Sequence, residues 1–206
     1  MAEQSGLLVA THNEGKVREL TRMLAGLPLR VRRLAEWPDI PEAEETGATF
    51  EENAVLKALH YSARAGLLTL SDDSGLEVAA LGGAPGVFSA RYGGPSATYP
   101  ERMARLLAEV EAAGGSERAA RFVCVIALAD PSTGEVRTFE GVCAGRLADK
   151  PRGTGGFGYD PVFIPDGHAQ TFGELPAETK QTLSHRARAA AKAREHIRRT
   201  LSSRPA

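Results

Sequence analysis

The sequence predicts an α/β fold with a mixed β-sheet. Two observations support this prediction. Short apolar or alternating segments, which are typical of strands, take turns along the chain with segments whose apolar residues recur at helical spacing. In addition, two longer strand-like segments adjoin across the turn "PSTG", which indicates a hairpin and therefore an antiparallel pair beside parallel ones.

Capping signals define the two strongest helices. Thr49 and Glu52 form a capping box before a helical segment that Gly66 ends, and Thr98 with Glu101 begins another helix in the same way. The remaining elements rest mainly on hydrophobic pattern. The predicted strands cover residues 6–10, 29–34, 67–71, 120–130, 135–147 and 161–164, and the predicted helices begin near residues 14, 49, 98 and, capped by Ser184, 185.

Length and composition limit the class of protein. The 206 residues show no internal repeat and no break in composition, so we expect one domain over residues 1–206 with flexible ends at about 1–5 and 202–206. Two cysteines cannot form a disulfide framework, and neither a signal peptide nor a membrane-spanning apolar run is visible. We therefore expect a cytoplasmic protein without a membrane partner. The net charge of −1 argues against nucleic acid as a partner.

The segment "ATHNEGK" lies where a predicted strand turns into a helix. A helix N-terminus favours an anion, Thr11 and Asn13 add short polar side chains, and Lys16 adds a full positive charge. The glycine spacing is not that of a P-loop. The segment predicts a phosphate cradle, while the alternative that Thr11 or Asn13 merely caps the helix stays open.

Acidic residues cluster in two other segments. "SDDSG" places Asp72 and Asp73 after an apolar strand, where adjacent side chains point to opposite faces and so have different tasks. "EAEETG" adds three glutamates before a helix. Because Mg²⁺ takes only one or two protein oxygens and fills its shell with water and phosphate, these segments predict a magnesium site. For the glutamates alone, the ordinary preference of acids for loops would explain the pattern equally well.

Three other kinds of site fit less well. Asp-Ser-Gly also marks aspartic proteases, but these need two such aspartates on a nearly all-β fold, whereas this chain has one copy and strong helices. Ser184 beside His185 suggests an acyl hydrolase, but helix neighbours do not face each other and no G-x-S-x-G elbow exists. The histidines and cysteines lack the spacing of a zinc site.

The segment "GTGGFGYDP" (residues 153–161) combines glycines with two aromatic residues and an acid. The glycines allow the backbone to approach a flat ligand closely and to adopt positive φ. Phe157 and Tyr159 offer ring faces, and the proline after Asp160 keeps that residue extended. We interpret the segment as a slot for a nucleobase. Together with a phosphate cradle and paired carboxylates, it indicates a nucleotide as the ligand.

Seven motifs resemble, in order and over nearly the whole chain, the non-canonical purine nucleoside triphosphate pyrophosphatases, also called inosine/xanthosine triphosphate pyrophosphatases. Each motif alone is weakly specific, but seven in the same order are very specific. They are "ATHNEGKVREL", "EETGATFEENAVLKA", "SDDSGLEV", "LGGAPGVFSARYGG", "ARFVCVIAL", "GTGGFGYDPVF" and "ELPAETKQTLSHRARA".

The resemblance implies a fold, an assembly and a set of site residues. It implies an elongated mixed sheet with two lobes around a deep central cleft, usually as a homodimer, with Mg²⁺ as cofactor. It implies that Asp73 accepts the proton and that Glu44 and Asp73 hold the metal. The implied substrate-binding residues are Thr11, His12, Asn13, Glu14, Gly15, Lys16, Ser74, Phe157, Gly158, Tyr159, Asp160, Lys180, His185 and Arg186.

The implied activity is hydrolysis of non-canonical purine nucleoside triphosphates such as ITP, dITP and XTP. Water attacks the α-phosphorus, the products are the monophosphate and pyrophosphate, and the nucleotide pool is cleaned. Two alternatives remain. A nucleotide-binding sensor without hydrolysis would not need Asp73 beside a phosphate, and a related pyrophosphatase for modified pyrimidine nucleotides would differ in slot size and in the donors of "SHR".

Overall fold

Six strands form one mixed β-sheet in the computed structural model, which describes residues 6–202. The strands are β1 (Gly6–Val9), β2 (Arg30–Arg33), β3 (Leu68–Val78), β4 (Ala119–Ala129), β5 (Val136–Leu147) and β6 (Phe163–Pro165). Their order in the sheet is β2-β1-β3-β4-β5-β6. β1 pairs in parallel with β2 and β3, whereas β5 and β6 are antiparallel. The predicted α/β class with a mixed sheet is therefore confirmed.

Five α-helices accompany the strands within residues 6–202. They are α1 (Glu14–Met23), α2 (Phe50–Ala65), α3 (Tyr99–Ala112), α4 (Ala177–Leu183) and α5 (His185–Ser202). No helix in this range has the length and apolar character needed to cross a membrane. The flexible ends predicted at residues 1–5 and 202–206 lie outside the described residues, apart from Ser202 at the end of α5.

The capping signals of α2 are confirmed in detail. The Thr49 side chain accepts a hydrogen bond from the Glu52 backbone N–H at 3.1 Å, and the Glu52 carboxylate accepts one from the Thr49 N–H at 3.3 Å. Gly66 ends the helix with φ +65°, the left-handed conformation that glycine adopts without steric cost. The same capping box, formed by Thr98 and Glu101, begins α3.

Three elements differ from the sequence prediction. Asp160 does not stay extended before Pro161 but begins a 3₁₀-helix over Asp160–Val162, in which the Val162 N–H donates to the Tyr159 carbonyl at 3.0 Å. β3 continues through the aspartate pair to Val78, so Asp72 and Asp73 lie inside a strand rather than after its end. The strand continues because Leu76 and Val78 are both fully buried apolar residues beyond the aspartates. α4 was not predicted, because its seven residues are too few to display a helical period. Ser184, which was predicted to cap the last helix, is the C-cap of α4.

The chain divides into two compact units. The first comprises the described residues within Met1–Asp73, Cys124–Gly141 and Arg186–Ala206, and the second comprises Ser74–Val123 and Val142–His185. In the first core, α1 contributes Leu20 and α5 contributes small residues such as Ala189 and Ala193, which let the helix pack closely. The second core includes Leu106, Phe163 and Phe172 among its buried apolar residues. The single domain and the central cleft stay predictions.

Candidate functional site

The turn between β1 and α1 has the form expected of an anion cradle. Asn13 is the N-cap of α1, and its side-chain oxygen accepts from the Lys16 N–H at 3.1 Å, while Thr11 accepts from the Asn13 N–H at 3.2 Å. The N–H groups of Glu14 and Gly15 have no hydrogen-bond partner within residues 6–202. Capping and anion binding are therefore compatible, because the cap satisfies only part of the helix N-terminus.

A buried ion cluster lies next to this cradle in the first unit. Lys16 Nζ is 3.1 Å from Asp72 Oδ2, and Arg186 Nε is 3.2 Å from the same oxygen. A second carboxylate, that of Glu19 on α1, lies 2.7 Å from the Arg186 guanidinium. Burial alone would raise the pKa of Asp72, but the charges of Lys16 and Arg186 outweigh it and hold that pKa well below its ordinary value. Asp72 is thus a permanent anion that orients Lys16.

Asp73 points into a different cluster, as expected for adjacent strand residues. Its Oδ1 accepts from Lys57 Nζ at 3.0 Å, and its Oδ2 lies 3.4 Å from the Asn53 amide nitrogen. Lys57 also bonds the Glu45 carboxylate. Burial raises the pKa of Asp73 although the Lys57 charge opposes the shift. A carboxylate with a raised pKa is better matched to accepting a proton than an ordinary one.

The donor set around Asp73 fits Mg²⁺, although no cluster of three or more metal-ligating side chains exists within the described residues. Mg²⁺ prefers oxygen donors and needs only one or two carboxylates from the protein. Within the described residues, Asp73 Oδ2 accepts one hydrogen bond, a long one of 3.4 Å from the Asn53 amide nitrogen. Glu44 is exposed and makes no hydrogen bond or ion pair with any described residue, whereas Glu45 already shares Lys57 with Asp73. A metal-binding role for Asp73 and Glu44 stays a prediction, and Glu45 is the alternative second ligand.

The glycine-rich segment in the second unit offers one aromatic face rather than two. Phe157 is partly buried, but Tyr159 is only 3% exposed and lies in the core. The Tyr159 hydroxyl donates to the Ser89 carbonyl at 3.0 Å, and its ring meets Tyr99 edge-on. A stacking role for the Tyr159 ring therefore does not agree with its burial, because an apolar ring between core residues is the more stable arrangement. A backbone contact of Tyr159 with substrate stays a prediction.

Other predicted substrate-binding residues have defined surroundings within their own units. His185 is buried and stacks on Phe122, with ring centroids 4.6 Å apart and an interplanar angle of 11°. Ser74 is partly buried in β3. His12 is exposed, and its Nε2 lies 3.4 Å from the Tyr61 hydroxyl oxygen. Roles for these side chains in substrate binding stay predictions.

Comparison with known proteins decides the family. The model of the Ham1 family matches residues 7–196, which is most of the chain. The chain belongs to the Ham1 family. Among its relatives, a dITP/XTP pyrophosphatase of Geobacter sulfurreducens is 50% identical over 191 residues, 93% of this chain and 96% of that protein. A dITP/XTP pyrophosphatase of an Exiguobacterium species is 48% identical over the same shares of the two chains.

A solved Ham1 structure shares the fold. The HAM1 protein from Coxiella burnetii superposes with a TM-score of 0.88 at 41% identity, covering 95% of this chain and 99% of that one. The resemblance drawn from the seven motifs is therefore confirmed at the level of the family and of the fold.

The surroundings of Asp73 include two residues that the sequence did not single out. Asn53 and Lys57 lie four residues apart on α2 and therefore on one face, from which both reach Asp73. Asn53 also bonds the backbone of Gly47 in both directions, through its Oδ1 and its Nδ2. The available signal was a pair of polar residues at i and i+4 on a helix, separated by the three apolar residues 54–56.

The Arg186 guanidinium forms ion pairs with Asp72 and Glu19 in this Ham1 chain. These pairs indicate that Arg186 stabilises the fold, and its contact with a base stays a prediction. We expect Arg186→Ala to lower the free energy of unfolding by about 3–5 kcal/mol, because Asp72 and Glu19 lose a buried partner. Urea unfolding measures this loss. The control, Arg199→Ala, breaks an exposed pair with Glu195 and should cost less than about 1 kcal/mol. If both variants lost the same small amount of unfolding free energy, a stabilising role of the buried ion cluster would be contradicted.

Proposed function

We propose that this Ham1 chain hydrolyses non-canonical purine nucleoside triphosphates such as ITP, dITP and XTP to the monophosphate and pyrophosphate, with Mg²⁺. The observation that carries the proposal is that two neighbouring aspartates in the first unit bond two different lysines. Asp72 bonds the cradle lysine, Lys16, and Asp73 bonds Lys57 on the other side of the strand. One carboxylate thus organises a phosphate-binding cation while the next is placed as a base. The names of the relatives from Geobacter sulfurreducens and Exiguobacterium support the substrate class.

Different residues of the chain bind the polyphosphate and accept the proton. The N–H groups at the start of α1 and the Lys16 ammonium bind the polyphosphate, so that negative charge developing on the leaving pyrophosphate is stabilised. Asp73 accepts the proton of the attacking water. Lys57 holds Asp73 in place, and its own pKa is raised because the charges of Asp73 and Glu45 outweigh the effect of burial, so it stays protonated. Mg²⁺, when bound, neutralises phosphate charge.

We also propose a homodimer in the cytoplasm that has no nucleic-acid or membrane partner. This part rests on the family resemblance, on the net charge of −1 and on the absence of a spanning helix within residues 6–202. Analytical ultracentrifugation measures the assembly directly.

A panel of nucleoside triphosphates, assayed for each product with and without Mg²⁺, tests the activity. Pyrophosphate and the monophosphate should form in equal amounts from ITP and XTP, and chelation of Mg²⁺ should stop the reaction. Release of orthophosphate would contradict attack at the α-phosphorus. Tight binding without any product would indicate the sensor, and turnover of modified pyrimidine nucleotides alone would indicate the pyrimidine-specific enzyme.

Lys16→Ala should weaken binding of the triphosphate by about tenfold or more and binding of the monophosphate much less. The reason is that a charge-assisted contact to the outer phosphates exists only with the triphosphate. Calorimetry without Mg²⁺, so that the substrate is not consumed, compares ITP with IMP. Arg18→Ala removes an exposed cation from the same helix and is the control. An equal loss for both nucleotides would place Lys16 away from the outer phosphates.

A further inference from the structure

One oxygen of the buried Asp160 carboxylate makes two contacts within the protein. Its side chain is 2% exposed, and its Oδ2 accepts from the Phe157 backbone N–H at 2.7 Å and from Lys180 Nζ at 2.5 Å. The Asp160 carbonyl also accepts from the Gly173 N–H at 3.1 Å. A single buried oxygen therefore joins the glycine-rich loop to α4, and both bonds are strong because the acceptor is charged.

Lys180 in turn lies against the aromatic ring of the loop. Its Nζ is 4.4 Å from the centroid of the Phe157 ring, within the range of a cation–π contact, and its side chain is 8% exposed. The ammonium thus covers one face of the ring. Phe157 is only partly buried, so part of its side chain remains accessible to a planar ligand.

Gly156 shows how closely the loop is fitted to this carboxylate. Its φ is +71°, and a Cβ atom at this position would lie 1.9 Å from Asp160 Oδ2. Any larger residue would both strain the backbone and push the loop away from the carboxylate. The glycine is required by the contact with Asp160 itself.

We propose that Asp160 is a positioning residue, whose bonds to Lys180 and to the Phe157 N–H hold the Phe157 ring where a nucleobase stacks on it. This rests on the proposed function in that the ligand is a nucleotide. The proposal replaces the expectation that the Asp160 side chain touches the substrate. Stacking on an aromatic ring is tolerant of base identity, because every base has a π-face. Asp160 therefore contributes an affinity that all bases share.

Asp160→Asn tests the proposal, because the amide oxygen still accepts from the Phe157 N–H but carries no charge for Lys180. We expect KM to rise about tenfold, by the same factor for ITP, XTP and ATP, while kcat stays within about twofold. A rise in KM that differs among the bases would show a direct contact with the base and overturn the proposal. A fall in kcat at constant KM would overturn it too. Glu77→Gln, which breaks an exposed pair with Arg121 in the same unit, should change neither constant.

Three further variants keep the test decisive if Asp160→Asn folds poorly. Gly156→Ala displaces the loop without removing a charge, and it should raise KM in the same base-independent way. Lys180→Met and the double variant Asp160→Asn with Lys180→Met should show non-additive effects, because the two residues act as one pair. Fully additive effects would contradict the pairing.

Binding of IMP, measured by calorimetry, separates this proposal from the proposed function. If the wild-type protein binds IMP but hydrolyses no triphosphate, the proposed function fails, while a weaker affinity of Asp160→Asn for IMP still supports the positioning role. Equal affinities of the wild type and of Asp160→Asn for IMP would overturn the positioning role even if hydrolysis is confirmed.

Discussion

Asp73→Asn should lower kcat by at least about a hundredfold, the low end of the effect of a positioned general base, and leave nucleotide binding largely intact. The asparagine keeps the shape of the side chain and can still bond Lys57 through its amide oxygen. It cannot accept a proton from water. It also supplies a weaker ligand for Mg²⁺. Because saturating metal restores metal binding but not the missing base, the loss should persist at saturating Mg²⁺.

Asp72→Asn is the matched comparison, since the two aspartates are neighbours on one strand. It should lower the free energy of unfolding, because Lys16 and Arg186 lose the carboxylate that balances their charges. Stopped-flow pyrophosphate release and urea unfolding separate the two effects. Near-full turnover by Asp73→Asn would assign the base elsewhere, with Glu45 as the next candidate because it shares Lys57.

The elements that were predicted well have local signals at both ends. α2 is the clearest case, because Thr49, Glu52 and Gly66 all lie within the segment or next to it. The length of β3 was wrong for the opposite reason. Two aspartates end a strand by local propensity, but in the folded chain the nearby cations balance Asp72 inside the core.

The sequence predicted the motifs of the candidate site but not the ion pairs that connect their residues. The motifs contain Asp72, Lys16 and Arg186, yet the ion pairs among them join residues far apart, such as Arg186 and Asp72, which are 114 positions apart. Glu19 and Arg186 are 167 positions apart. Pairings of this kind depend on packing of the whole unit, and no local pattern encodes them. For the same reason the sequence does not reveal that the Arg186 guanidinium bonds two carboxylates, and its contact with substrate stays a prediction.

Hydrolysis of ITP should exceed hydrolysis of ATP by roughly four orders of magnitude in kcat/KM, the discrimination available to a site built on hydrogen bonds to one substrate group. Inosine and xanthosine carry an oxygen at purine C6, where adenosine carries an amino group. A donor aimed at that oxygen would face the N–H groups of adenosine, and each buried group left unpaired costs about 1–3 kcal/mol. Guanosine keeps the C6 oxygen, so its rejection depends on the 2-amino group.

The structure narrows the choice of donor. Because Arg186 is already bonded to Asp72 and Glu19, we expect His185 or a backbone N–H to provide the bond to the C6 oxygen. His185→Ala should therefore reduce kcat/KM for ITP and XTP more than for ATP and narrow the ratio. Phe122→Leu is the control, since it removes the ring stacked on His185 but keeps the imidazole, and it should preserve most of the discrimination. Similar kcat/KM values of the wild-type protein for ATP and ITP would contradict a donor that selects the C6 oxygen. They would also contradict a role in removing non-canonical nucleotides. An unchanged ratio in His185→Ala would instead assign the donor to the backbone.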